Sequence, residues 1–256
     1  MFPWAGSGKT DPNMKLDWNL LGVASAVALG LGLTPAAVVH AVSDADELCA
    51  QTATTCEISE VVSVDSGAVL DFGTRTLSIV GGGQLDISSG TVTIRAGRIE
   101  ASAGNLVVFK VTGPAGGGYL TLEARRSCSN GAGNTCLSDA DCIEGSCSDG
   151  DGEIALSGRI AGSDDPPASI TIQSAGDLTL SQNIGASGTT ADSDGGIVEV
   201  ESFGGSVTID GTVDASSGKD STGGDVTVVA AVDVLVNGEL NADGGDFDGG
   251  MIEISA

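Results

Sequence analysis

Three groups of residues in this chain have types and spacings suited to chemistry: six cysteines, a series of acids in glycine-rich stretches, and an N-terminal GSGKT. Cys49 and Cys56 lie close together, and Cys128, Cys136, Cys142 and Cys147 share one segment with the spacing C-x7-C-x5-C-x4-C. Thiolate zinc sites use paired short steps such as C-x2-C, and this segment has none, so disulfides are the expected chemistry and metal the lesser reading. Four cysteines allow three pairings, and spacing does not choose among them. Cys49 with Cys56 would close a separate N-terminal loop.

The acids are Asp149, Asp151 and Glu153, then Asp192 and Asp194, then Asp243, Asp246 and Asp248. Carboxylates beside backbone carbonyls in turns are the hard oxygen ligands that calcium prefers, and calcium is the one cofactor the sequence suggests. Asp149-Gly-Asp-Gly-Glu lacks the twelve-residue helix-loop-helix frame, and GGDFDGG is not the nine-residue repeat of calcium-binding rolls. Solvated turn acids are therefore the competing reading. GSGKT resembles a phosphate-cradling loop only in its last residues. Pro3 stands where its first glycine belongs, no strand fits upstream, and Asp11-Pro12 follows where a helix must start.

The segment around GSGKT has a different explanation. From Met14 the chain reads Lys15, an uncharged apolar run from Leu20 to Leu33, and the small-x-small ending Val39-His40-Ala41. That is the pattern of a secretory signal peptide over residues 1–41, with 1–13 upstream of the true start. An uncleaved membrane anchor is the alternative, weakened by Pro35 and the glycines. Export predicts an oxidising compartment, in keeping with an even set of cysteines, and a secreted or cell-surface location.

The chain carries 10 basic and 35 acidic residues, a net charge of −25. The segment through Ala41 holds two of each, so residues 42–256 keep the same balance. Such a chain repels nucleic acid and anionic membranes, which leaves membrane contact only to the signal segment or to an anchor outside this sequence. His40, the single histidine, falls in the segment expected to be removed, so histidine catalysis and histidine metal sites are not expected. Acidity with few aromatics suggests disorder, but Val, Ile and Leu alternate with polar residues as half-buried strands require.

The elements that must position these residues are written in a repeat. Ile170-Thr171-Ile172 recurs as Val198-Glu199-Val200, Val226-Thr227-Val228 and Ile252-Glu253-Ile254, in steps of 28, 28 and 26. A second strand recurs as Leu178-Thr179-Leu180, Val207-Thr208-Ile209 and Val234-Leu235-Val236, and a third around Ile184, Val213 and Leu240. Three short strands per unit, separated by Gly, Asp, Asn and Ser turns, predict a right-handed parallel β-helix with a repeat of about 27 residues. Leu77-Ser78-Ile79, Leu85-Asp86-Ile87, Val92-Thr93-Ile94, Ile99 and Leu120-Thr121-Leu122 carry the same grammar less regularly. GRIEASAG at 97–104 also matches GRIAGSDD at 158–165 and GTVDASSG at 211–218. The expected layout is a cap over 42–59, solenoid turns over 60–126, a cysteine-rich insertion over 127–152, and turns over 153–256 that stop within a repeat, about seven in all.

The recurring G-x-V-x-A-S-G-G-x-x-G-G-x-V-x-V pattern resembles the passenger repeats of filamentous-haemagglutinin-like exported bacterial surface proteins. The resemblance implies a structural or adhesin-like rod that presents loops to a protein or glycan on a surface or matrix. The segment C-x-S-D-A-D-C-x-x-G-x-C is similar to small disulfide cassettes of secreted cysteine-rich modules. Pectate-lyase-like enzymes share the expected fold, and in that reading Arg75 and Arg98, with Asp71 and Glu100 nearby, would be the groups to examine; surface ion pairs are the simpler use of them. Few aromatics offer sugar-stacking platforms, so the non-enzymatic reading leads. An uncapped coil end would also suit end-to-end self-association.

Overall fold

Alternation decides which way each short strand faces. The computed structural model describes residues 41–87, 90–102, 107–111, 118–129, 134–142, 145–148, 151–163 and 167–256. The expected signal segment with its GSGKT, and Asp149, lie outside these residues.

The strands form three parallel sheets. The first stacks Ala41–Val42, Val61–Val64, Gln84–Ile87, Val107–Val111, Arg159–Ser163, Ile184–Ser187, Thr212–Asp214 and Glu239–Asn241. The second stacks Val69–Asp71, Gly90–Ala96, Gly118–Ala124, Ser169–Ser174, Ile197–Ser202, Asp225–Ala230 and Met251–Ser255. The third stacks Thr55–Ile58, Thr76–Ile79, Arg98–Ala101, Ile154–Leu156, Leu178–Leu180, Val207–Ile209 and Val234–Val236. From Thr55 onward the chain visits the third, first and second sheets in turn, then repeats, which defines a parallel β-helix of seven coils among the described residues.

The core is built of ladders, because equivalent apolar residues of successive coils meet at about 4.8 Å spacing. In the second sheet Val92, Leu120, Ile170, Val198 and Val226 stand in register and are fully or almost fully buried. One such side chain is worth about 1.5–3 kcal/mol of burial, and three short strands alone would expose nearly all of them. Ile252 and Ile254 continue these ladders but remain 45% and 51% exposed, since no strand lies beyond them among the described residues.

At one corner, successive backbones touch directly. A Cβ on Gly196 would meet Ala168 O, one on Gly224 would meet Gly196 O, and one on Gly250 would meet Gly224 O. The recurring Gly-Gly pairs therefore serve close approach of coil to coil.

The strand alignments expected for residues 170–254 are the observed ones. One likeness is misleading. Gly97-Arg98-Ile99-Glu100 belongs to the third sheet, whereas its two look-alikes, at 158–161 and 211–214, belong to the first. A glycine turn followed by alternating residues is the local requirement at more than one corner, so the motif does not mark the sheet. Val107–Val111 carries an irregularity as well: Arg159 faces Val107 and Ile160 faces Phe109, so Val108 bulges, and Val108 and Phe109 are both fully buried.

The first coil is closed by the segment before it. Ala41–Val42 pairs with Ser63 and Val64, a 3-10 turn at Ala45–Glu47 follows, and Cys49 is bonded to Cys56. Cys56 sits in the third sheet's inner ladder opposite Leu77 and is fully buried, so this disulfide fastens the cap to the core. No helix among the described residues is long and apolar enough to cross a membrane.

Candidate functional site at the disulfide cassette

The cysteine segment leaves the solenoid after Gly118–Ala124 and returns at Ile154–Leu156, and the stack does not break. Leu122 still faces Ile94 on one side and Ile172 on the other, and Ile154 faces Ile99 and Leu178. The insertion is thus an addition at the corner between the second and third sheets.

Inside it, Arg126–Ser127 pairs antiparallel with Thr135–Cys136, and the disulfides are Cys128–Cys142 and Cys136–Cys147. The sulfurs of Cys128, Cys136 and Cys142 lie within 4.8 Å of one another, the only such group of candidate metal ligands among the described residues. All of them are spent in disulfides, so no thiolate is offered. Two carboxylates hold the rest. Asp141 accepts the amides of Leu137 at 2.8 Å and Ser138 at 3.0 Å, and Asp139 accepts that of Cys147 at 2.7 Å. The amide of Ser138, then that of Leu137, hold the Asp141 carboxyl below its ordinary value, against a smaller opposing effect of burial.

Two adjoining hollows lie where the cassette meets the coils. The larger, about 450 Å³, is lined by Asp46 and Gln51 from the cap, Asp71 to Arg75 from the first coil's corner, and Thr135 from the cassette. The smaller, about 180 Å³, is lined by Thr74, Gly97, Arg125, Arg126, Ser127, Ser148 and Asp151. Thr74 belongs to both.

Arg75 and Arg98 do lie on neighbouring coils, since Thr76 is in register with Arg98. Both are committed to ion pairs. Arg75 donates to Phe72 O at 2.8 Å and Ala50 O at 3.2 Å, pairs with Asp46 at 3.4 Å, and stacks over the Phe72 ring, so it clamps the cap to the first coil. Arg98 pairs with Glu153 at 2.6 Å and Glu100 at 3.2 Å; Glu100 also accepts the Ser78 hydroxyl. Asp71 accepts the amide of Gly73.

The turn acids named as calcium ligands are dispersed. Asp151, Asp192, Asp194, Asp243, Asp246 and Asp248 are exposed. Asp194 accepts the amide and hydroxyl of Thr222 in the next coil, and Asp246 faces Lys219 at 3.9 Å. Among the described residues no three carboxylates converge closely enough to share one ion. The same use recurs elsewhere: Asp177 accepts Ser206 N, and Asn183 accepts Thr212 N, each one coil away. These side chains hold turn to turn.

Sequence reasoning missed Arg125 and Arg126. Their signal was there: two consecutive arginines, among only eight basic residues after position 41, at the start of the insertion. Arg125 forms an ion pair with Glu123, which is 7% exposed and pairs with Arg95 at 3.0 Å as well. Arg126 lies along a row of glycines: added Cβ atoms would meet its Cγ at Gly152, its guanidinium at 3.0 Å at Gly176 and at 3.5 Å at Gly204.

Fold and site together define a parallel β-helix with a disulfide-bonded insertion that walls a polar cleft. Compared with protein-family models, curated proteins and solved structures, the chain matches none.

Proposed function

We propose that this protein is a secreted or cell-surface binding module of the adhesin-like kind, in which the coil stack is a rigid scaffold and the cleft beside the cassette is the recognition site. The observation that supports this most is the position of the insertion. It leaves Leu122 in register with Ile172 and Ile154 in register with Ile99, and adds one wall, Thr135, to a hollow otherwise built from the cap and the first coil. The protein's three disulfides, one in the cap and two in the insertion, suit an oxidising compartment, where export would take it. Asp46, Gln51, Asp71, Thr74 and Thr135 offer the cleft a set of donors and acceptors for a polar ligand.

The test is direct binding of the purified protein to arrays of glycans and matrix proteins, followed by Gln51→Ala and Thr135→Ala. The reading expects one ligand class to be retained, with binding lost in both variants while the far-ultraviolet dichroism is unchanged. Turnover of polygalacturonate in calcium, with unsaturated product, would overturn it in favour of a lyase.

A further inference from the structure

The four cysteines of the insertion stand so that more than one pairing is within reach. Cys136 Sγ lies within 4.8 Å of both Cys128 Sγ and Cys142 Sγ, which are bonded to each other, while Cys136 is itself bonded to Cys147. The backbone adds a second coincidence. Cys128 and Cys147 stand directly opposite each other in an antiparallel bridge, yet each is bonded elsewhere. The flanking hydrogen bonds run from Ser129 N to Ser146 O and from Ser148 N to Ser127 O, both at 2.9 Å, which makes the two cysteines a non-hydrogen-bonded pair. In such a pair the Cα atoms are about 4.5 Å apart and the side chains lie close together. That separation falls within the roughly 4.4–6.8 Å a disulfide spans, as do the 5.8 and 6.0 Å of the two bonds present.

The frame around these sulfurs is held by other groups. Ser148 donates its hydroxyl to Ser127 O at 2.7 Å, Ser129 Oγ accepts the amide of Ser146 at 3.0 Å, and Asp139 accepts the amide of Cys147 at 2.7 Å. Cys128 and Cys147 therefore stay face to face whichever sulfurs are joined. Access picks the point of entry. Cys128, Cys136 and Cys142 are buried, whereas Cys147 is half-buried. Exchange starts at the sulfur that an outside thiolate can reach.

We propose that the insertion is a disulfide-exchange switch, opened at Cys147 by a small monothiol and closed again in a second pairing, Cys128–Cys147 with Cys136–Cys142. The thiolate attacks Cys147 Sγ, the bond to Cys136 breaks, and Cys136 leaves as a thiolate. Cys136 attacks the neighbouring Cys142 Sγ, and Cys128 leaves as a thiolate. Cys128 attacks Cys147 Sγ across the bridge, and the monothiol departs as the thiolate that entered. Two disulfides are present before and after, so nothing is oxidised or reduced overall and the monothiol is a catalyst. Cys136 directly follows Thr135, so the exchange unties this cleft wall from the strand of Cys147 and ties it to the turn before Cys142. Control of ligand binding by this route rests on the recognition reading above.

The intact protein is incubated with reduced glutathione at mildly alkaline pH, quenched in acid, and its disulfides are mapped by tandem mass spectrometry. A Cys128–Cys147 bond should grow as Cys136–Cys147 declines, and without glutathione the pairing should not change. Reduction of the cassette with no Cys128–Cys147 species would overturn the proposal. Cys147→Ser holds the switch at its open step, with Cys136 as the free thiol beside the Cys128–Cys142 bond. Capture with N-ethylmaleimide after acid unfolding should label Cys128 as well as Cys136, in a ratio within about tenfold of one, because the competing bonds are chemically alike. Label on Cys136 alone would also overturn it. Should this variant not fold, the mapping of the parent decides alone. Retention on the ligand arrays, measured before and after exchange, separates the two readings. Absent exchange with ligand retained sinks the switch and spares recognition. Exchange in a protein that retains no ligand does the reverse, and exchange that leaves retention unchanged overturns the control of the cleft.

Discussion

Gly224→Ala isolates the contribution of direct backbone contact between coils. The new Cβ would stand 2.6 Å from Gly195 C and 2.7 Å from Gly196 N, and closer still to Gly196 O, all of them backbone atoms with no rotamer to escape into. The coils must part at this corner. Parting loosens the hydrogen bonds from Asp225 N to Gly196 O at 2.9 Å and from Gly195 N to Thr222 O at 2.9 Å. Each is worth about 0.5–1.5 kcal/mol net. Overpacking adds about 1–3 kcal/mol, and the lower unfolded-state entropy of alanine returns about 0.4–1 kcal/mol. The sum is a loss of about 1–6 kcal/mol, or at least about 2 °C in Tm for a chain of this size. Gly185→Ala is the control: its Cβ would find only Gly162 O at 3.7 Å and Ile160 O at 4.0 Å, so it should be neutral or slightly stabilising. Thermal melts by circular dichroism compare the two, and hydrogen exchange at Gly224 and Asp225 shows whether the damage is local. A Gly224→Ala melt within about 1 °C of the parent, or an equal fall for Gly185→Ala, would refute the argument from close approach.

Other expectations follow from the same contacts. Ile172→Ala, between Leu122 and Val200 and fully buried, should cost about 2–5 kcal/mol in denaturant unfolding. Reduction and alkylation of the cassette should abolish amide protection within it yet leave the β-sheet dichroism in place, because neither of its disulfides touches a coil strand. The Asp141 carboxyl is depressed in the folded state from its ordinary 3.8, so its contribution is present above that pH and is lost as acid takes the group through its lower folded value. Amide exchange at Leu137 and Ser138 should therefore accelerate below that point in the parent, and Asp141→Asn should remove the transition. Since Asp194 already serves Thr222 and no three described carboxylates converge, millimolar calcium or a chelator should leave Tm unchanged.

The later coils were legible because their ladders repeat at near-constant steps, so that Ile170, Val198, Val226 and Ile252 could be matched by eye and are matched in space. Val107–Val111 was not, because two adjacent buried residues at a bulge erase the alternation that marks a strand. Gly97–Glu100 was matched to the wrong sheet, since glycine followed by alternating residues is what several corners need. The cysteines were legible as disulfide partners, but their pairing depends on how the cassette folds back on itself. The cleft was the least legible. Thr74, Gln51 and Thr135 are distant in sequence and ordinary in type, and only the return of the cassette toward the cap brings them together.

The row of glycines beneath Arg126 gives the insertion a mechanical lever. Gly152, Gly176 and Gly204 belong to three successive turns, and one side chain rooted in the cassette rests on all of them. Bulk added at Gly204 would meet Ala175 O, at 2.7 Å, before it reached the tip of that side chain, whereas bulk at Gly152 would meet its Cγ at 2.8 Å and displace it at the base. Substitutions at Gly152 and Gly176 would therefore loosen the seat of the insertion on the coils while leaving both of its disulfides in place.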